Sequence, residues 1–174
     1  MKKRKVRSMI NHWDAVWYHY RTKKNLLPKD QIVVKLLLPG KTLAWNSLGY
    51  RYHLHIPDLT VYEQLLDICP NFIEKFDNIL VLNTFELRYT NIEEHAIVLG
   101  RLCNHLTTNG RLMFGVNSIF INWNRTAISA EQMFEQFLLI MQNQYHMSLK
   151  HKTLRPFNTD SLNGDCFLIF DKQL

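Results

Sequence analysis

A chain of 174 residues, 47% apolar and 12% aromatic, is long enough for one domain whose core needs no disulfide or metal staple, and the composition excludes a disordered protein. No apolar run, such as "FLLIM" at 137–141, approaches the roughly 18 to 20 residues that span a bilayer, and the start "MKKRKVRSM" lacks the apolar core and cleavage site of a signal peptide. The formal charge of +6 falls to about +1 without Lys2, Lys3, Arg4, Lys5 and Arg7, so the basicity belongs mainly to the tail. The expected organisation is a basic tail over 1–9 and a single domain over 10–174. Cys69, Cys103 and Cys166 lie singly and far apart, which reads as buried small hydrophobes in a reducing, cytoplasmic setting.

After the tail, Ile10, Trp13, Trp17 and Tyr20 recur at spacings of three and four and predict one apolar face of a helix. Pro28 at a first-turn position, with Asp30 close by, predicts a second helix whose apolar side is Ile32, Val33, Leu36 and Leu37. Pro39-Gly40 ends it, and "KTLAWN" follows as a short buried strand. "RYHLHI" at 51–56 alternates like a strand closed by Pro57, and "TVYEQLLDI" reads as a short helix ending at Pro70. "FDNILVLNTFEL" contains the continuous run Ile79 to Leu82, the pattern of a parallel strand covered on both faces.

Thr90 followed by Glu93 forms a capping box, and Ile92, Ala96, Leu99, Cys103 and Leu106 mark the apolar stripe of the helix it opens. Asn109-Gly110 predicts a turn, with "RLMFGVNSIFI" as the next strand. Ser129 and Gln132 form a second capping box, opening a long helix with Met133, Phe137, Ile140, Met141 and Gln144 along one line. "MSLKHKTLRPF" and "DCFLIFDK" then form a hairpin with a long loop. The expected fold is three-layer α/β, a mostly parallel sheet with an antiparallel C-terminal hairpin.

The order "LPGKTLAWN", "EKFDNILVLNTFELRYTN", a capped helix and "LCNHLTTNGRLMFGV" resembles the class I S-adenosylmethionine-dependent methyltransferase fold over residues 28–171. The resemblance makes these three segments the family's strands one, four and five, and the terminal hairpin its strands six and seven. It implies a cofactor cleft lined by Asn46 and Gly49 after strand one and by Asn83 and Phe85 after strand four. The family's loop after strand one carries an acid and several glycines. Here it reads Ala44-Trp45-Asn46-Ser47-Leu48-Gly49, without an acid and with one glycine. The family's ribose-holding acid at the end of strand two has Asp58 or Glu63 as candidates, neither after a clear strand. The interval 47–77 is too short for the three helices and two strands the family places there, at about 10 residues per helix and 5 to 6 per strand. The fold is therefore expected in reduced form, with part of the cofactor half missing. At the end of strand four, Asn83-Thr84-Phe85-Glu86 lacks the paired prolines of the enzymes that methylate DNA amino groups.

Other patterns are weaker. His53 and His55 share one side of a strand, but spacing supplies no third metal ligand. No G-x-S-x-G, Walker loop or G-x-G-x-x-G is present. "KKRKV" resembles a nuclear import signal, and Lys2, Lys3, Arg4, Lys5 and Arg7 are the candidate contacts to nucleic acid or another anionic partner. Trp13, Trp17 and Trp123 are the candidate surface for a protein partner or a second copy. The reading is a non-catalytic methyltransferase-like domain, a binding or structural subunit without a cofactor. Its small size, its Asn, Lys and Ile usage and its shortened core are compatible with a viral or mobile-element gene. The alternative is an active methyltransferase that binds S-adenosylmethionine through an atypical loop.

Overall fold

The computed structural model describes residues 28–45, 55–62, 72–82, 92–116, 130–154 and 166–174. Helix α1 (Pro28–Lys35) is followed by β1 (Thr42–Trp45), β2 (Leu59–Tyr62) and β3 (Phe76–Leu82). Helix α2 (Ile92–Cys103), β4 (Leu106–Val116), α3 (Ala130–Tyr145), β5 (Met147–Leu154) and β6 (Cys166–Lys172) complete the chain order. The six strands among the described residues form one sheet in the order β2-β1-β3-β4-β6-β5. The pairs β1–β2, β1–β3 and β3–β4 are parallel, whereas β6 runs antiparallel to both β4 and β5. This is the expected parallel sheet with a terminal antiparallel hairpin.

Alternation along the strands divides the core into two layers. Leu43, Trp45, Ile79, Val81, Leu112, Phe114, Leu168 and Phe170 face one side and pack with Leu99 and Leu102 of α2 and with Phe137 and Met141 of α3. Ala44, Leu80, Met113 and Ile169 face the other, where Val33 of α1 and Ile56 join them. The apolar stripe expected for α2 is buried at Ala96, Leu99 and Cys103. On α3, Phe137 and Met141 are buried, Ile140 is half-buried and Gln144 is exposed.

Four expectations change. "TVYEQLLDI" does not begin as a helix: Leu59–Tyr62 is a strand in parallel register with β1, with Trp45 opposite Tyr62. The strand expected over 51–56 is absent where it is described, His55 lying in a turn and Ile56 outside any strand. Asn109-Gly110 does not precede strand five but falls inside β4. Pairing jumps from Phe76 opposite Leu106 to Asn78 opposite Arg111, and the excursion between them is absorbed by Asn109 at φ 64°. Ile32, expected on the buried side of α1, is 55% exposed, whereas Val33 is buried and Val34, Leu36 and Leu37 pack partly against the same layer.

The connector from α1 into β1 is held by side chains of the sheet. Buried Asn78 accepts from the Leu38 N–H at 2.8 Å and donates to the Leu38 carbonyl at 2.8 Å and to Thr42 Oγ1 at 3.2 Å. Arg111 donates to the Leu36 carbonyl at 2.8 Å and makes a two-point pair with Asp171, at 2.7 and 3.0 Å. Gly40 turns into β1 at φ 122°, and a Cβ there would lie 1.9 Å from Asp77 Oδ2, the atom that accepts from the Lys41 N–H. Asn78→Ala, which strands buried backbone groups of Leu38, is expected to cost about 2 kcal/mol or more. Gly40→Ala is expected to cost about 1 to 3 kcal/mol through backbone strain. Urea unfolding of both variants checks these values; a wild-type midpoint for Asn78→Ala would remove it as a structural joint.

Candidate functional site

In an open α/β sheet the ligand crevice lies beyond the carboxyl ends of the parallel strands, here the ends of β1, β2 and β3. The last residue of β1 is Trp45, 1% exposed, its indole packed on the ring of Tyr62 at 4.8 Å, with a 48° angle between planes. Tyr62 meets Phe72 edge-on at 5.5 Å, and Phe72 meets Phe76 at 5.4 Å and the His105 imidazole at 5.2 Å. A continuous chain of rings thus runs from the carboxyl end of β1 to the amino end of β3. Trp45 Nε1 is buried without a hydrogen-bond partner among the described residues.

Asn46, Gly49, Asn83 and Phe85 lie outside the described residues, as do Lys2, Lys3, Arg4, Lys5, Arg7, Trp13, Trp17, Trp123, His53, Cys69, Leu48 and Glu86. Asp58 precedes β2 and sits at its amino end, where its carbonyl accepts from the Thr42 N–H at 2.8 Å. Glu63 also lies outside the described residues, but it is the next residue in the chain after Tyr62, which ends β2. The missed signal was the strand itself: once Leu59–Tyr62 pairs with β1, the acid that follows it holds the sequence place of the family's ribose-binding acid. Among the described residues, no group of three His, Cys, Asp or Glu side chains could hold a metal ion.

The amino ends of the strands carry a second polar region, and its cations serve the fold. Lys172 Nζ donates to the carbonyls of Cys103 at 3.0 Å and Leu106 at 3.3 Å, and Lys75 Nζ donates to the carbonyl of Asn104. Two lysines thus satisfy carbonyls at the C-terminus of α2, where the helix dipole favours positive charge. His105 lies beside them with Nδ1 buried and unpartnered among the described residues. Burial, then the charges of Lys75 and Lys172, lower its pKa. Burial raises the Cys103 thiol to about 12 despite nearby Lys172.

The sequence matches no protein-family model and no curated protein. Solved structures do match in shape. Magnesium protoporphyrin IX methyltransferase from Synechocystis PCC 6803, solved with bound S-adenosylmethionine, superposes with a TM-score of 0.56 at 14% identity, covering 99% of this chain and 98% of that one. The N-methyltransferase NodS from Bradyrhizobium japonicum WM9, solved with S-adenosyl-L-homocysteine, gives 0.54 at 12% identity, covering 87% and 90%. An S-adenosylmethionine-dependent methyltransferase from Listeria monocytogenes gives 0.53 at 11% identity, covering 82% and 97%. The chain has a class I methyltransferase-like fold.

In the family's order, β2, β1, β3, β4, β6 and β5 take the places of strands two, one, four, five, seven and six. No strand among the described residues takes the place of strand three.

The polar region at the strands' amino ends gives two expected outcomes. The unfolded chain protonates a histidine near pH 6.5 while folded His105 resists protonation, so the unfolded state binds more protons and stability falls as pH drops below 6.5. Urea titrations between about pH 7 and 5 should show this fall reduced in His105→Gln; an equal fall in both proteins would clear His105 of it. In a Cys69→Ser/Cys166→Ser background, Cys103 should react with a thiol reagent only after unfolding. Immediate labelling of the folded chain would contradict its burial.

Proposed function

We propose that this chain is a methyltransferase-like domain that serves as a binding or structural subunit and does not itself transfer methyl groups. One observation carries the reading: Trp45, the last residue of β1, is buried with its indole packed at a tilt against the Tyr62 ring. The acid and the glycines that the family places after strand one are missing from residues 44–49, and the two described side chains that end β1 and β2 are packed against each other. The partner contacts in this reading are Lys2, Lys3, Arg4, Lys5 and Arg7 toward an anionic partner, and Trp13, Trp17 and Trp123 toward a protein or a second copy.

A second reading rests on Glu63. It follows directly after β2, the parallel neighbour of β1, and a carboxylate there suits a pair of ribose hydroxyls. Under this reading Asn46, Gly49, Asn83 and Phe85 complete a site for S-adenosylmethionine, whose activated methyl group would supply the chemistry.

Calorimetry of the full chain with S-adenosylmethionine and S-adenosylhomocysteine separates the two. Silence at millimolar ligand is the expected result. A micromolar response that Glu63→Ala removes would overturn the first reading and establish the second.

A further inference from the structure

His105 stands where the polar region at the strands' amino ends meets the chain of aromatic rings. It is 9% exposed, and its backbone is tied on both sides, the N–H donating to the Leu102 carbonyl at 2.9 Å and the carbonyl accepting from the Phe76 N–H at 2.8 Å. Its imidazole stands edge-on to the Phe72 ring, at 86° and 5.2 Å. Phe72 in turn leans on Phe76 and Tyr62, and Tyr62 on Trp45, all in the layer on the α2 side of the sheet. The imidazole is therefore one wall of the seat that Phe72 occupies.

That wall resists a proton. Nδ1 is buried with no hydrogen-bond partner among the described residues, so an imidazolium would place a charged N–H where no acceptor meets it. Among the described residues, the charged groups that act on it are both cations, Lys75 from the segment before β3 and Lys172 from β6. Both are held in place, Lys75 by the Asn104 carbonyl and Lys172 by those of Cys103 and Leu106. Helix α2 adds the Cys103 thiol beside Lys172, which burial keeps un-ionised. None of these groups supplies the negative charge that steadies a buried imidazolium.

We infer that His105 is an acid-sensitive latch: on taking up a proton its ring leaves the Phe72 contact for water, and the Phe72, Tyr62 and Trp45 rings loosen in turn while the sheet stays folded. Because the His105 backbone is anchored to α2 and β3, the escape is a rotation of the side chain and leaves the register of β3 and β4 intact. An imidazole out in water titrates near its ordinary 6.5 and the latched one lower, so the open form binds more protons and gains as pH falls below 6.5. Access to the ring cluster at the carboxyl end of β1 thereby becomes conditional on pH, although the titrating group lies at the strands' amino ends. The latch goes beyond the binding-subunit reading and holds whether or not the crevice takes a cofactor.

The test uses the full chain carrying Trp13→Phe, Trp17→Phe and Trp123→Phe, which leaves Trp45 as the sole indole. Between about pH 7 and 5, a window above the usual carboxylate range, Trp45 emission should move to the red and its quenching by acrylamide should rise, with far-UV circular dichroism unchanged. His105→Gln, which cannot take the proton, should keep the pH 7 spectrum throughout. Phe72→Leu should weaken the Trp45 response while His105 still titrates by NMR, which checks coupling through the rings against mere proximity. Hydrogen exchange of the Trp45 indole N–H in the wild-type chain gives the same reading without the three Phe replacements. The inference is overturned by Trp45 signals that do not change with pH, or by a change that survives in His105→Gln. It is overturned equally by a change that persists in full in Phe72→Leu, or that appears only together with loss of the circular dichroism signal.

Discussion

The side-chain amide of Asn78 is the joint on which the rest of the structure depends. It sits fully buried in β3 and satisfies both N–H and C=O of Leu38 across the layer boundary. A backbone segment crossing the edge of a covered sheet must find partners for its polar groups or lose several kcal/mol of stability. Here the partners come from the two central strands, since Arg111 of β4 takes the Leu36 carbonyl while its guanidinium stays paired with Asp171 of β6. The path of residues 36–38 decides where Gly40 turns and therefore how β1 enters between β2 and β3. One buried amide and one guanidinium thus fix the register of the parallel half of the sheet.

The aromatic chain has a different origin. Here β2 is the edge among the described residues, and something must fill the volume beside it on the α2 side. Tyr62 and Phe72 do so, carrying ring contacts from Trp45 to Phe76 and His105. Large rigid rings suit this task because they bury much area for little lost side-chain freedom. A tryptophan at the end of β1 is therefore explained by packing alone.

Much of this was legible in the sequence, for physical reasons that also mark where legibility ends. The helices α2 and α3 declared themselves by capping boxes and a 3.6-residue stripe, because their buried faces follow that period; β3 did so by a continuous apolar run, because both its faces are covered. β2 was misread because "TVYEQLLDI" was taken whole as a short helix ending at Pro70, and a four-residue strand at its start is a weak signal. The signal that would have found it was local: Thr60, Val61 and Tyr62 are strand-favouring types directly after Pro57-Asp58. The excursion at Asn109 was read as a turn because Asn-Gly favours positive φ in either setting. Of the candidate site, the loss of the acid and the glycines was readable from residues 44–49. That Trp45 faces inward onto Tyr62 was not, because it depends on the pairing of β1 with the misread strand.

Fold and function separate cleanly in this chain. The crevice of an open α/β sheet exists wherever parallel strands end beside a change in strand order, and the fold preserves that geometry whether or not a ligand uses it. Chemistry resides in the side chains placed there, and the two described ones, an indole and a phenol, are packed against each other. The sheet's opposite edge carries a different irregularity: between Leu149 and His151 the register of β5 against β6 shifts, and Lys150, His151 and Lys152 are exposed there. An edge strand tolerates such a loss of ladder regularity because it has a single neighbour to stay in register with.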